Sequence, residues 1–510
     1  MKPSIGSGTD LLRTGRRVMH RLAPALVCAV IAGCAVGPDY RKPAVEVPAQ
    51  FKEGVDWQRA DANPQASLSS TWWQDYGDAM LTDLIERSQR ANQSIAQAEA
   101  AYRLALATVM ASRASLFPTI GASFSGARSG TGAGAVSNTS PVPGVSNSAS
   151  ASLTASWEPD LWGSVRRQLE SSKASAQASD AQLAGERLSI AASVATDYFA
   201  LRQADVDIEL LTQQQHIDER ILDMTRRSFA QGASSNDDVL IAQDTLELVI
   251  ATLQTTRISR EQDEHAIAVL IGVPPGGFTI DARTDYAFTI PAVPLALPSQ
   301  LLQRRYDVVS AERTAAAANE RIGVAEAAFF PSLTLSAEGG FQHNTLANLF
   351  TVPSRFWTLG PTLAATIFDG GARTAAVREA RATYDEDVAN YRQTVLGAFQ
   401  NVEDSLSSWN HLQRQEQSYA DIYRRNQALF DSESAQRRIG TASEQDLLTQ
   451  QLTLIQARQN LADTRALLAQ SSVGLIRNLG GGWQWRDVRD AKADASGAPK
   501  QTALAQPAAD

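Results

Sequence analysis

The feature that most constrains the fold of this chain is a set of four proline-free stretches with a helical pattern. From Gly163 to Gln231 there is no proline, and roughly 65 residues at a rise of 1.5 Å each predict an unbroken helix of about 100 Å. Residues 371–438 predict a second helix of this kind, and residues 236–271 and 444–478 predict shorter returning helices. No compact globular domain needs helices this long, so the sequence predicts an elongated helical structure.

The same turn joins the two helices of each pair. Gly232–Gln243 reads Gly-Ala-Ser-Ser-Asn-Asp-Asp-Val-Leu-Ile-Ala-Gln, and Gly440–Gln451 reads Gly-Thr-Ala-Ser-Glu-Gln-Asp-Leu-Leu-Thr-Gln-Gln. The glycine, serine and aspartate of the two turns match at a constant offset: Gly232 with Gly440, Ser235 with Ser443, and Asp238 with Asp446. This repetition predicts a tandem duplication. Each glycine can end a helix in the left-handed conformation, and each Ser-x-x-Asp can cap the next helix as a capping box.

Two segments in each half alternate between apolar residues and Ser, Thr or Gly, which is typical of a β-strand with one polar face. The apolar positions are Ile120, Ala122 and Phe124; Leu153, Ala155 and Trp157; Leu333, Leu335, Ala337 and Phe341; and Trp357, Leu359, Leu363, Ala365 and Ile367. One interpretation is a half-buried sheet in a soluble domain. The other is a set of membrane strands, because each is near the length of roughly 10 residues that crosses a tilted bilayer span. Bacterial barrels have eight strands or more, so four per chain predict a trimer with a twelve-strand barrel and a polar lumen.

The N-terminus has the features of a lipoprotein signal peptide. Residues 1–33 carry five basic side chains and one acid, and the apolar run 22–32 is too short to span a membrane. Ile31-Ala32-Gly33-Cys34 resembles the lipobox, in which the cysteine receives a diacylglycerol and an N-acyl chain; an ordinary cleavage site is the alternative. Translation can begin at Met1 or Met19. Because Cys28 lies in the segment to be removed, one thiol would remain, and no intrachain disulfide is expected.

Charge argues against one class of partner. The formal net charge is −9, and removal of the basic leader would make the mature chain more acidic still. Nucleic acid is therefore excluded as a partner, because its phosphates would repel the protein.

Several blocks together resemble TolC/OprM-type outer-membrane factors of the lipoprotein, NodT-like branch. They are Cys34-Ala35-Val36-Gly37-Pro38-Asp39-Tyr40, Trp72-Trp73-Gln74 with Asp78, Leu297-Pro298-Ser299-Gln300-Leu301-Leu302-Gln303-Arg304-Arg305, and Leu479-Gly480-Gly481-Gly482-Trp483. The chain has Tyr306 where the family pattern usually has proline. The resemblance implies a mainly α fold with a β-barrel contribution: a long helical periplasmic barrel and four transmembrane strands per chain, closing as a trimer.

The predicted organisation follows these blocks. Residues 1–33 form the signal peptide and 34–78 an N-terminal periplasmic or equatorial segment. The first repeat, 79–290, contains a strand hairpin at 117–160 and a helical tip at 232–243. The second repeat, 291–484, contains a strand hairpin at 331–369 and a helical tip at 440–451. Residues 485–510 are predicted to be a disordered tail.

No pattern typical of catalysis occurs. The five histidines are scattered without metal-ligand spacing. Gly130-Thr131-Gly132-Ala133-Gly134 lacks the Lys-Ser/Thr of a phosphate loop and is interpreted as a flexible linker. The sequence therefore predicts neither an enzyme nor a cofactor apart from the acyl chains on Cys34.

Two roles remain open for Asp238 and Asp446. Both fit helix capping alone, and both also fit carboxylate rings that favour cations and hold a periplasmic mouth closed. The resemblance implies that the tips dock a periplasmic adaptor, with exposed Val239, Leu240, Leu447 and Leu448 nearby. A further acid is frequent in the family at the position of Thr449, so the gate here would be less acidic.

The predicted function is the outer-membrane exit channel of a tripartite efflux pump that passively conducts small molecules such as drugs or toxic compounds. The predicted partners are two further copies of the chain, a periplasmic membrane-fusion adaptor, a proton-driven inner-membrane transporter and outer-membrane lipid. One alternative is the outer-membrane duct of a type I protein secretion system. A structural trimeric lipoprotein stalk is the other, although a stalk would not need the strand hairpins.

Overall fold

Helices account for most of the chain in the computed structural model, which describes residues 35–54, 70–130, 145–291 and 304–482. The longer elements, in chain order, are α1 Ala79–Ala91, α2 Gln93–Ala114, β1 Thr119–Gly130, β2 Val145–Trp157, α3 Ser164–Ala230, α4 Asn236–Leu270, α5 Tyr306–Ala327, β3 Ser332–His343, β4 Arg355–Ala364, α6 Ala372–Ile439 and α7 Glu444–Asn478. Helices α3 and α6 have 67 and 68 residues, and α4 and α7 have 35 each. The prediction of a mainly α fold is confirmed, and the four predicted strands form a small antiparallel sheet. None of the described helices is long and apolar enough to cross a membrane.

The chain divides into two units. The first comprises Met1–Pro43, Tyr102–Ala178 and Glu312–Asn390, and the second comprises Ala44–Ala101, Ser179–Ala311 and Tyr391–Asp510. Each unit therefore takes segments from both halves of the sequence.

The first unit contains the sheet, in which the four strands are antiparallel neighbours in chain order. Ala155 lies opposite Ile120 in β1 and Ala337 in β3, and Ala337 in turn lies opposite Leu359 in β4. Because side chains alternate between the faces of a sheet, this register collects most apolar residues of the four strands on one face and the Ser and Thr residues on the other. Phe356, opposite Gly340, is a large apolar side chain on the hydroxylated face. The alternation predicted from the sequence thus extends across the whole sheet.

The first strand hairpin is longer than the sequence suggested. The Gly- and Ser-rich segment from Gly126 predicts a loop, but β1 continues to Gly130 opposite Val145. The serine hydroxyls contribute to this extension, since the Oγ atoms of Ser129 and Ser146 are 2.8 Å apart. Cross-strand hydroxyl bonds stabilise a strand pair even where few apolar side chains are present.

The helical pattern of residues 80–116 predicts one helix, but the chain breaks at Asn92 into the separate helices α1 and α2. Asn92 has an extended ψ of 132°, and its side-chain oxygen accepts hydrogen bonds from the amides of Ser94 and Ile95 at 2.9 and 3.1 Å. Its side-chain nitrogen donates to the carbonyl of Leu270 at 2.9 Å. Asparagine thus ends α1 and caps α2, a role that competes with helix continuation.

The core of the second unit lies around the block Trp72–Tyr76 and the middle of α3. Its fully buried apolar residues include Trp72, Leu81, Leu84, Ile85, Tyr198, Phe199, Tyr391, Val395 and Val473. Beside it, buried Arg202 donates to Asp205 at 2.8 Å and to the carbonyl of Asp281 at 2.7 Å. A buried charge without its partner costs several kcal/mol, so this pair constrains how the connector after α4 lies against α3.

Candidate functional site

The two predicted helical tips have the same backbone geometry. Gly232 and Gly440 have φ angles of 76° and 80°, the left-handed region that glycine adopts at least cost. The amide of Ala233 donates to the carbonyl of Ser228 at 2.9 Å, and that of Thr441 to the carbonyl of Gln436 at 3.0 Å. Both α3 and α6 thus end in the motif expected of a C-terminal glycine.

Both capping boxes are formed, so the capping prediction is confirmed. The amide of Asp238 donates to Ser235 Oγ at 3.1 Å, and Asp238 Oδ2 accepts from the amide of Ser235 at 2.8 Å. At the second tip the corresponding distances for Asp446 and Ser443 are 3.0 and 3.2 Å. Thr449, one turn after the start of α7, donates its hydroxyl to the carbonyl of Gln445 at 2.9 Å.

Both tip aspartates are ionised at neutral pH. The amide and hydroxyl of Ser235 hold the pKa of Asp238 below its usual value. The hydroxyl and amide of Ser443 do the same for the pKa of Asp446. Both aspartates are exposed on the single chain, so each tip presents a negative charge to solvent while it caps its helix.

The predicted docking residues differ in exposure. Leu240 is 49% exposed, as expected, but Val239 is only 9% exposed, and its predicted exposure is wrong. Leu447 and Leu448 are half-buried, and Leu448 packs against the cluster that contains Leu210 and Ile455. Val239 and Leu240 are consecutive in α4, and Leu447 and Leu448 are consecutive in α7. Consecutive residues of a helix point in different directions, so their exposure to solvent can differ. Ile241, which the sequence analysis did not single out, is 64% exposed next to Leu240.

An ion pair that the sequence analysis missed links the two helical hairpins. Arg220 of α3 donates to Glu444 at the start of α7 through Nε at 2.7 Å, and Arg437 of α6 approaches the same carboxylate at 3.5 Å. The hydrogen bond from Arg220 holds the pKa of Glu444 below its usual value. Arg220 and Glu444 are 224 positions apart, so no local pattern pairs them.

A second contact between α3 and α7 consists of two carboxyl groups. Asp207 faces Asp463, whose Oδ1 accepts a hydrogen bond from Gln203 at 2.8 Å. Burial, and then the charge of Asp463, raise the pKa of Asp207 to about 7. Burial also raises the pKa of Asp463. Near neutral pH the pair therefore holds a proton that the unfolded chain would release.

We expect this pair to make the helical packing less stable as pH rises. An unfolded aspartate titrates near pH ~4, so the folded chain binds more protons between about pH 4 and 7, and stability falls across that window. The thermal unfolding midpoint, followed by helical circular dichroism, should be about 2–4 °C lower at pH 8 than at pH 5 on this account. Asp207→Asn should reduce that difference, and Asp244→Asn, on the exposed surface of α4, should not. An unchanged pH dependence in Asp207→Asn would contradict the assignment.

In the first unit, residues 35–40 form a strap, named here for its contacts with α3 and α5. The amide of Val36 donates to the carbonyl of Trp162 at 2.9 Å. Buried Arg167 donates to Asp39 at 2.9 Å and to Glu320 at 2.7 Å. Residues 35–40 are thus bound along their length. Cys34 itself lies outside the described residues.

The close packing of the strap against α5 requires two glycines. A side chain on Gly37 would collide with the backbone of Gly323 in α5, and one on Gly323 would come within 2.9 Å of the carbonyl oxygen of Val36. At the end of the strap, Tyr40 donates to Glu312 Oε1 at 2.5 Å. Backbone therefore lies directly on backbone where the strap crosses α5.

The chain combines paired long helices that have capped tips with a sheet that is apolar on one face and hydroxylated on the other. This combination is typical of a membrane channel protein. The profile described as "Outer membrane efflux protein" matches residues 84–273 and 297–481, and the chain belongs to this family. The family forms channels and is not a family of enzymes.

Individual relatives are similar over almost their full length. The probable efflux pump outer membrane protein TtgC of Pseudomonas putida is 32% identical, covering 91% of this chain and 95% of the relative. The pyoverdine export outer membrane protein OpmQ of Pseudomonas aeruginosa is 30% identical, covering 91% and 98%. The solved outer-membrane channel OprN has a TM-score of 0.78 and 29% identity, covering 88% of this chain and all of that one. The predictions of an outer-membrane location and of a channel role in efflux are confirmed.

Proposed function

We propose that three copies of the chain close a twelve-strand barrel through which small molecules such as drugs or toxic compounds leave the cell. The main support is the sheet, in which the outer strands β1 and β4 each have one edge that pairs with no other strand in the described part of the chain. Lipid cannot satisfy the polar groups of an open edge, and barrels of bacterial outer membranes need at least eight strands. Pairing of β1 with β4 of a neighbouring copy satisfies both edges.

The two faces of the sheet support the same arrangement. On the apolar face, Ile120 is 77% exposed and Trp357 80% exposed, as expected of side chains that contact lipid. On the other face, hydroxyl groups pair across the strands, with 2.9 Å between Ser123 and Ser152 and 2.8 Å between Ser125 and Ser150. A hydroxylated wall suits a water-filled lumen that carries varied cargo without a binding pocket.

The matched lengths of α3 and α6, and of α4 and α7, support an internal duplication. On this proposal the repeats are 79–290 and 291–484, preceded by the signal peptide 1–33 and the segment 34–78 and followed by the tail 485–510. Each repeat supplies one strand hairpin and one helical hairpin.

The strap supports a lipid anchor on Cys34. Ala35 lies against Gly163, where a side chain on the glycine would come within 2.8 Å of the Ala35 backbone, and Gly163 follows the end of β2 by only six residues. Acyl chains on Cys34 would therefore enter the membrane close to this end of the sheet. Several acyl chains at about 0.8 kcal/mol per buried CH₂ give stable anchoring.

The tips support a gate and a docking site. On this proposal, rings of Asp238 and Asp446 in the trimer help to close the periplasmic mouth, and a periplasmic membrane-fusion adaptor contacts the exposed Leu240 and opens it. An inner-membrane transporter, proposed to be proton-driven, supplies the energy, so the channel needs only to shift between closed and open states.

Deletion of the gene should raise susceptibility to small toxic compounds, and re-expression of the wild-type chain should restore resistance. Unchanged susceptibility across such compounds would contradict this cargo class.

Adjacent residues of β4 test the membrane barrel. Leu359 lies on the apolar face and is 73% exposed, and Thr358 lies on the hydroxylated face. Leu359→Asp places a charge in lipid, at a cost of up to a few kcal/mol, and should sharply reduce the yield of trimer measured by light scattering and crosslinking. Thr358→Asp places the charge in the lumen and should leave assembly intact. Equal yields for the two variants, or a stable wild-type monomer, would refute the closure.

A further inference from the structure

Two arginines interrupt the apolar face of the sheet at one end. The near end is defined here as the end where β1 and β3 begin and where β2 leads to the strap contact at Trp162. The far end is the opposite one. Arg128 lies in β1 on the same face as Phe124 and two residues before the strand ends, and Arg355 is the first residue of β4 on the same face as Trp357. Each arginine therefore lies at the far end of its own strand, and through the register Arg355 shares a row with Phe124, so that Arg128 lies four residues farther toward the far end.

The position of these arginines is informative in a membrane sheet. An arginine on the lipid-contacting face is strongly destabilising at the middle of the bilayer and nearly neutral close to the interface. Its long side chain can bury its methylene groups and extend the guanidinium to the headgroups. We therefore expect the far-end arginines to lie at a headgroup level.

The charges at the two ends of the sheet differ in their partners. At the near end, where β2 and β4 lead into helices, Arg166 is paired with Asp160 at 3.0 Å and Arg373 with Asp369 at 2.6 Å. At the far end, the exposed Arg128 and Arg355 have no acid or hydrogen-bond partner among residues 35–54, 70–130, 145–291 and 304–482. The acid within the described strands, Glu338, lies on the hydroxylated face. The far end thus has cations on its lipid face without a counter-charge from the described part of the protein.

We propose that Arg128 and Arg355 bind phosphate groups of the phosphorylated glycolipid in the outer leaflet. This rests on the proposed membrane barrel, in which the strap and Cys34 place the near end at the inner leaflet. Guanidinium groups bind phosphate through paired hydrogen bonds. Because β1 and β4 are the two outer strands, barrel closure brings Arg128 of one copy to the same seam as Arg355 of its neighbour. The trimer then has three equivalent lipid sites, one at each seam.

The test compares lipid binding by the full-length protein in detergent, measured by native mass spectrometry. The probes are diphosphorylated lipid A and the same lipid after enzymatic removal of its phosphates. The variants are Arg128→Gln, Arg355→Gln, the double glutamine variant and the double lysine variant. Arg378→Gln is the matched control, because Arg378 is exposed on α6 and outside the sheet.

The wild-type protein should bind the diphosphorylated lipid more tightly than the dephosphorylated one. Each glutamine substitution should weaken that preference about fivefold, the effect of roughly one basic residue at an anionic surface. The lysine variant should keep much of the preference because it keeps the charges, and Arg378→Gln should keep all of it. A preference that survives the double glutamine variant, or an equal loss for both lipids, would overturn the proposal.

Single-channel conductance in planar bilayers separates this proposal from the one on which it rests. A wild-type protein that conducts but does not prefer the phosphorylated lipid would overturn the lipid site alone. A wild-type protein that forms no conducting channel would overturn the membrane barrel as well.

Discussion

Replacing Cys34 with serine should abolish incorporation of radioactive palmitate into the protein. Lipid attachment requires the thiol, because serine does not form the thioether that carries the diacylglycerol. The sequence contains two cysteines, and on the proposed cleavage only Cys34 remains in the mature chain. Labelling is measured by autoradiography of the immunoprecipitated protein after growth in labelled palmitate.

Cys28→Ser provides the matched control. Cys28 lies in the segment proposed to be removed, so its loss should leave labelling complete. Labelling that persists in Cys34→Ser, or that disappears in Cys28→Ser, would refute the assignment of Cys34 as the acylated residue.

The double variant Asp238→Ala with Asp446→Ala should open the channel at rest and raise single-channel conductance several-fold in planar bilayers. The physical reason is that both carboxylates are ionised and exposed at the tips. Three copies of each would bind cations and hydrogen-bond donors, and these contacts would hold the mouth closed. This is the expected result if the aspartates gate the channel as well as cap helices.

The structure offers a control that separates the two roles. Ser235→Ala with Ser443→Ala removes the hydroxyl that caps each helix, at about 1 kcal/mol per cap, and leaves both carboxylates in place. Gating predicts raised conductance only in the aspartate variant. Equal conductance in both double variants and the wild type, with slightly lower helix stability, would support capping alone.

Much of this architecture could be predicted from local patterns. Long proline-free stretches predicted α3 and α6, alternation predicted the two faces of the sheet, and Gly with Ser-x-x-Asp predicted the tips. Each of these signals is carried by residues close in sequence, where backbone preferences act directly.

The remaining features depend on partners distant in sequence. The break at Asn92 is completed by the carbonyl of Leu270, and the pairing of Arg220 with Glu444 joins helices from different halves. The burial of Val239 depends on which side of α4 faces its neighbours. A short apolar run cannot specify that side, because α4 is not strongly divided into apolar and polar faces.

The strap has a consequence for the order in which the protein assembles. Its contacts join Tyr40 to Glu312 and Asn319 to Pro38, with separations of 272 and 281 residues. Closing so long a loop is slow, and α5 must be present before it can occur. A chain emerging N-terminus first therefore exposes its proposed acylation point, Cys34, long before the strap has a place to dock. On the proposed lipidation, Cys34 is modified while the strap is still free, and docking of the strap then fixes the anchor beside the sheet.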